Sequence, residues 1–276
     1  MRRESVRSTL RREAWIVKLT ATARLLLAPA LVAACGGGSG DATNQPAGGR
    51  GAERAPVEST SRATTAATRR PRTAASVDRT GAPRVLFIGT SLTAGYGLED
   101  PAADAYPAVL QRMADSAHVP AFVVNAGLSG ETSAGAVRRA DWLLREKPDV
   151  VVLETGANDG LRGLDPDSTA ANLRVIIAKV RTANPAARVL LVQMEAPTNL
   201  GGLYTRRFHA VFGKVAAEEH VTLLPFLLDR VAGIPRLNQG DGIHPTVEGA
   251  RIAAANIWPG IRRTLGKQTG EGRAQR

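Results

Sequence analysis

Apolar positions along this 276-residue chain change period several times, and the changes mark out one folded region. Arg84-Val-Leu-Phe-Ile-Gly89 is a short run of β-formers closed by glycine, which predicts a first strand. Tyr106, Val109, Leu110 and Met113 then recur at helical spacing and predict a helix from Ala103 to Ser116. Pro120 to Asn125 reads as a second strand. A helix from Ala134 to Glu146 follows, with Thr132 and Ser133 as capping candidates and Pro148 beyond its end. Asp149 to Glu154 carries an unbroken Val-Val-Val-Leu core, the pattern of a strand buried on both faces. Asp165-Pro166 opens a helix reaching Thr182, with Asp at the cap and Pro at the first helical position. Arg188 to Gln193 is a fourth strand, Tyr204 to His220 a helix, and Val221 to Leu224 a short fifth strand. A last helix runs from Thr246 to Leu265, with Trp258-Pro259 as its weak point.

Strand and helix alternate throughout, which predicts an α/β fold with a parallel sheet covered by helices on both faces. In such open sheets a ligand binds beyond the carboxyl ends of the strands. Ser91 follows the first predicted strand, Gly130 the second and Asn158 the third, so all three are expected at one edge.

Composition bounds this domain at residues 84–265. Residues 36–83 are dominated by Gly, Ala, Thr, Ser, Arg and Pro with almost no large apolar side chain. Such a segment buries too little to offset its conformational entropy and is expected to be a disordered tether. Residues 266–276 are expected to fray. At the other end, seven Arg and Lys residues precede the apolar stretch Leu25 to Ala34. That stretch is far below the roughly 20 residues needed to span a bilayer and matches a secretory signal.

The net charge of +11 belongs mostly to the leader and tether. Residues 1–83 hold 14 Lys/Arg against 6 Asp/Glu, leaving 22 against 19 in the remainder. No basic face is indicated on the domain, and nucleic acid is not an expected partner. Cys35 is the single cysteine, which rules out an intrachain disulfide. Val32-Ala-Ala-Cys35-Gly36 resembles the lipobox of bacterial lipoproteins. It implies cleavage before Cys35, acylation of its thiol, and an exported protein held in the cell envelope by a lipid anchor.

The candidate chemistry is nucleophilic. Serine attacks only when a base within hydrogen-bond reach takes its proton. Ser91 lies in Gly89-Thr-Ser-Leu-Thr-Ala-Gly-Tyr-Gly97, where glycines permit tight turning. The second glycine of a Gly-x-Ser-x-Gly elbow is replaced by Thr93, so this is not that elbow. Taken alone, the loop suits a phosphate cradle as well as a nucleophile. His244 sits three residues after Asp241 in a glycine-containing loop, and Pro245 keeps it out of the helical region. Aspartate can fix the tautomer of such a histidine and leave its other nitrogen to deprotonate Ser91. His118, His209 and His220 fall in or beside helices and read as structural or solvated. An oxyanion needs preplaced donors, which Asn158 offers from its side chain, and Gly130 and Ser91 from their backbones.

Gly89-Thr-Ser-Leu, Ser129-Gly130-Glu-Thr-Ser, Gly156-Ala-Asn-Asp and Asp241-Gly-Ile-His-Pro together resemble the motif blocks of the GDSL, or SGNH, hydrolases. The likeness is strongest to the thioesterase I, lysophospholipase and arylesterase branch and runs from Val85 to Trp258. It implies a flavodoxin-like three-layer sandwich with five parallel strands. It also implies a Ser91/His244/Asp241 triad and an oxyanion hole of Ser91, Gly130 and Asn158. By the same resemblance Gly160 to Leu164 form a mobile substrate loop and Ala196 to Leu203 line the acyl pocket. Thr90 departs from the family pattern, which has Asp there; the expected consequence is altered local hydrogen bonding without loss of catalysis. Ala157 and Glu131 replace the common Gly and Asp.

The expected activity is hydrolysis of acyl esters or thioesters, by a monomer, with no cofactor or metal. Two alternatives stand beside it: an O-deacetylase of envelope carbohydrate on the same site, and a non-catalytic phosphate- or flavin-binding protein.

Overall fold

The computed structural model describes residues 79–274, with side chains as far as Gly266. The leader, Cys35 and the tether up to residue 78 lie outside the described residues. Five strands form one parallel sheet: β1 Arg84–Gly89, β2 Phe122–Gly127, β3 Val150–Glu154, β4 Arg188–Val192 and β5 Thr222–Leu224. Their order is β2-β1-β3-β4-β5, the doubly wound arrangement that reverses direction between β1 and β3. Val85 to Ile88, all of β3, and Val189 to Val192 are buried, as their continuous apolar runs predict. Edge strands β2 and β5 are largely half-buried or exposed.

Eight α-helices accompany the sheet among the described residues: α1 Ser91–Ala94, α2 Pro101–Asp104, α3 Tyr106–Ser116, α4 Ser133–Leu143, α5 Ala157–Leu161, α6 Pro166–Ala183, α7 Gly202–Glu218 and α8 Val247–Ala274. Helix α6 packs between α4 and α7, whereas α3 packs against α8. Phe87, Tyr106, Phe208, Phe212, Leu153 and Ile177 are among the largest fully buried side chains.

Several boundaries differ from expectation for local reasons. The helix predicted from Ala103 breaks at Ala105, whose backbone is extended (φ −60°, ψ 145°). Pro107 lacks an N–H and cannot continue the ladder from α2, but it fits the first turn of a new helix. Strand β2 runs two residues past Asn125, because Ala126 and Gly127 pair with Ile88 and Gly89. The helix predicted to end at Glu146 tightens into a 3₁₀ turn over Leu144–Glu146. Helix α8 carries Pro259 in its interior, and its backbone continues past Leu265 to Ala274, where fraying was expected. Propagation gains one hydrogen bond per residue, and the glycines beyond Leu265 weaken that gain without stopping it.

The register brings the site together. Gly89 at the end of β1 pairs with Gly127 of β2 and with Glu154 of β3. Ser91, Gly130 and Asn158 therefore leave one row of the sheet at two, three and four residues beyond it. Gly127 admits no side chain there, since a Cβ would lie 2.2 Å from the backbone nitrogen of Ala94.

Candidate active site

Ser91 is the first residue of α1, and Thr90 is its N-cap, accepting a hydrogen bond from the Leu92 N–H at 3.4 Å. Gly95 ends the helix in the left-handed region at φ 75°, a conformation glycine adopts without steric cost. The Ser91 hydroxyl lies 2.8 Å from His244 Nε2, and His244 Nδ1 lies 2.6 Å from Asp241 Oδ2. An ionised Asp241 can only accept, so Nδ1 carries the proton and Nε2 is left to accept from Ser91. The other Asp241 oxygen accepts the backbone N–H groups of Ile243 at 2.9 Å and His244 at 3.0 Å. Partial burial pushes the Asp241 carboxyl upward, but the His244 ring and these two N–H groups outweigh it and hold the group below the usual carboxylate range.

Gln239, which the sequence did not suggest, ties the histidine loop to the serine loop. Its amide donates to the Tyr96 carbonyl at 2.8 Å and the Pro245 carbonyl at 2.9 Å, while its backbone N–H donates to the His244 carbonyl at 2.7 Å. The Tyr96 ring tilts against the imidazole with centroids 4.7 Å apart.

Gly130 adopts φ 77°, a turn conformation suited to glycine. Among the described residues, no protein acceptor takes the backbone N–H of Ser91 or Gly130. Asn158 donates one amide proton to the Glu131 carbonyl at 2.9 Å, which keeps the other available beside Gly130. The loop is held by groups that short motifs do not reveal. Arg139 clasps both oxygens of Glu131 at 2.6 to 2.9 Å and reaches the Gly89 carbonyl at 3.2 Å. Buried Asp159 accepts the Ser133 N–H at 2.8 Å, the Ser133 hydroxyl at 2.5 Å and the Thr169 hydroxyl at 3.2 Å. Ser133 thus anchors α4, and the Thr132 side chain makes no cap bond.

Beneath Ser91 lies Glu154, fully buried at the end of β3. It accepts the Thr90 N–H at 2.9 Å, the Thr90 hydroxyl at 3.0 Å and the Thr93 hydroxyl at 2.7 Å. Burial, partly offset by these bonds, raises its pKa from 4.5 to about 7. Thr90 donates to this carboxylate, which an aspartate in its place would repel.

Gly160 packs tightly, since a Cβ there would stand 3.0 Å from the Phe208 ring and 3.4 Å from Ala196 Cα. The Tyr204 hydroxyl donates to the Leu164 carbonyl at 2.7 Å, fastening the segment Gly160 to Leu164 to the start of α7. Leu161, Leu164, Leu203 and Ile243 are exposed, and in sequence Leu161 follows Asn158 by three residues and Ile243 adjoins His244. A nucleophile with its base and spare N–H donors are together what acyl transfer requires.

Comparison with known proteins agrees with that chemistry. Esterase TesA of Pseudomonas aeruginosa is 40% identical over 186 residues, covering 67% of this chain and 90% of that protein. Thioesterase 1/protease 1/lysophospholipase L1 of Escherichia coli is 42% identical over 165 residues, 59% of this chain and 76% of that one. The solved structure of psychrotrophic esterase EstA from Pseudoalteromonas sp., inhibited by monoethylphosphonate, superposes with a TM-score of 0.62 at 32% identity. That match covers 66% of this chain and 98% of the EstA chain. Residues 87–252 match the family described as GDSL-like Lipase/Acylhydrolase, and the chain belongs to that family.

Proposed function

We propose that this chain is a serine esterase that hydrolyses carboxylic acyl esters through an acyl-enzyme on Ser91. The observation that carries the reading is the continuous hydrogen-bonded chain from Ser91 through His244 to Asp241, at 2.8 and 2.6 Å. As Ser91 Oγ bonds to the carbonyl carbon, its proton passes to His244 Nε2, and Asp241 stabilises the imidazolium that forms. The carbonyl electrons move to oxygen, which the N–H groups of Ser91, Gly130 and Asn158 receive. Collapse of this intermediate breaks the bond to the leaving oxygen or sulfur, which takes the proton from His244. Water then attacks the acyl-enzyme by the same steps and releases the acid.

The relatives' names include an esterase and a thioesterase/lysophospholipase, and an arylesterase is 34% identical over 166 residues. Aryl esters, lysophospholipids and acyl thioesters are accordingly the proposed substrates. The exposed Leu161, Leu164, Leu203 and Ile243 offer apolar surface that suits acyl chains longer than acetyl, which favours these substrates over acetylated carbohydrate. Ser91→Ala is expected to abolish turnover of p-nitrophenyl butyrate with an unchanged circular dichroism spectrum; undiminished turnover would sink the assignment.

The proposal extends to location. Lipidation at Cys35 would hold a monomeric enzyme at the cell envelope on a long tether, close to lipid esters. Cys35→Ser is expected to move the protein from the membrane fraction to the soluble one, and unchanged membrane association would remove the anchor from the account.

A further inference from the structure

Glu154 takes no part in the reaction written above, yet its carboxyl lies wholly buried behind the nucleophile turn. It reaches that turn from both ends. Thr90, immediately before Ser91, gives it a backbone N–H and a hydroxyl, and Thr93, two residues after, gives a second hydroxyl. Tyr106 completes the chain, its hydroxyl 2.6 Å from Thr93 Oγ1. Because Thr93 has one hydroxyl proton and spends it on the carboxylate, Tyr106 is the donor in that pair.

Resting on the assignment of Ser91 as nucleophile, we infer that Glu154 is a positioning residue. Its carboxylate clamps the Thr90–Thr93 turn from beneath, and protonating it loosens the turn and lowers the reactivity of Ser91. The donors around Glu154 suit the ionised form. A protonated carboxyl must donate, and the nearest acceptors are the two threonine oxygens. Only one proton fits on each oxygen-to-oxygen line, so a donating carboxyl makes that threonine turn its own proton away from it. The bond persists in reverse, but all three contacts to the turn lose the strength that the charge lends them.

Thr90 is what lets the carboxylate ionise alone. An aspartate at that position, usual in the family, would place a second carboxyl against Glu154, and the two would share a proton. No other charge intrudes from the elements packed here. From α3 the facing group is Tyr106, which burial and then the Glu154 charge keep protonated well above 10. From β2 it is the Asn125 amide, donating to the Thr93 carbonyl at 2.7 Å. From α4 it is Arg139, held on Glu131, and beyond Ser91 it is His244. With its pKa raised to about 7 by burial, Glu154 changes state in the neutral range.

The test is the pH profile of kcat/KM for p-nitrophenyl butyrate, run for the wild-type protein and two variants. Protonation of Glu154 is expected to add a step of about tenfold to the acid limb of the wild-type profile. Glu154→Gln, which keeps residue 154 neutral at every pH, is expected to lack that step and to run about tenfold lower on its plateau through looser positioning. Thr90→Val removes one donor from the carboxylate and is expected to move the midpoint of the acid limb upward by about half a pH unit. A folded Glu154→Gln protein with the wild-type limb overturns the inference. Should that variant not fold, an unmoved midpoint in Thr90→Val overturns it instead. Ser91→Ala, measured alongside, separates the two levels: residual turnover there defeats the nucleophile assignment, whereas a dead Ser91→Ala with parallel pH limbs defeats only the clamp.

Discussion

Replacing Glu154 by glutamine removes a titration while keeping most contacts, which makes its effect on stability calculable. The folded protein raises this carboxyl from 4.5 to about 7, chiefly through burial. A raised pKa means that the native state holds the proton more tightly than the unfolded chain does. Between those two values the native state carries a proton that the unfolded state has released. The free energy of unfolding therefore falls as pH rises through that window, and stays lower above it. The full rise is worth roughly 3 kcal/mol, a large share of the about 5–15 kcal/mol typical of a domain. Glutamine can still accept from the Thr90 and Thr93 donors and can donate to Thr90 Oγ1, but it never ionises. Urea unfolding followed by circular dichroism at about pH 5 and about pH 8 measures the difference. Wild-type is expected to lose roughly 3 kcal/mol more than Glu154→Gln between the two conditions, the other titrating groups cancelling between the proteins. Parallel changes in the two proteins would refute the reasoning. Together with the slower turnover expected of the same variant, this would make the buried carboxylate a stability cost retained for function.

Two further outcomes follow from the site's geometry. Asn158→Ala is expected to lower kcat by about 10² to 10³ with a smaller change in KM, because the amide meets charge that develops only in the transition state. Steady-state kinetics on an aryl ester reads both parameters. Leu161→Ser combined with Leu203→Ser is expected to cut kcat/KM for an octanoyl ester about tenfold while sparing the acetyl ester; an acyl-length profile that does not change would place the acyl chain elsewhere.

What the sequence made legible depended on distance along the chain. Asp241 and His244 are three residues apart, so their pairing is local and could be read from one loop. Ser91, Gly130 and Asn158 were legible because each follows a strand, and parallel strands deliver their following loops to a common edge. Glu154 was read only as the end of a buried strand. Its role depends on the pairing of Gly89 with Glu154, and strand register is not written in either segment alone. The clasp of Arg139 on Glu131 and the bonds from Asp159 to Ser133 are likewise products of packing between elements. Gln239 links two loops 143 residues apart in sequence. Two helix ends were misread: Pro107 sat inside an otherwise helical pattern, and Gly266, a usual stop signal, does not end α8.

The central claim is that Ser91 is the attacking group, and covalent trapping tests it most directly. A fluorophosphonate should react with the protein in step with loss of esterase activity, and peptide mass spectrometry should find the adduct on Ser91 and not on its neighbour Thr90 or Thr93. An adduct on another residue, or complete labelling of Ser91 with esterase activity intact, would contradict the account.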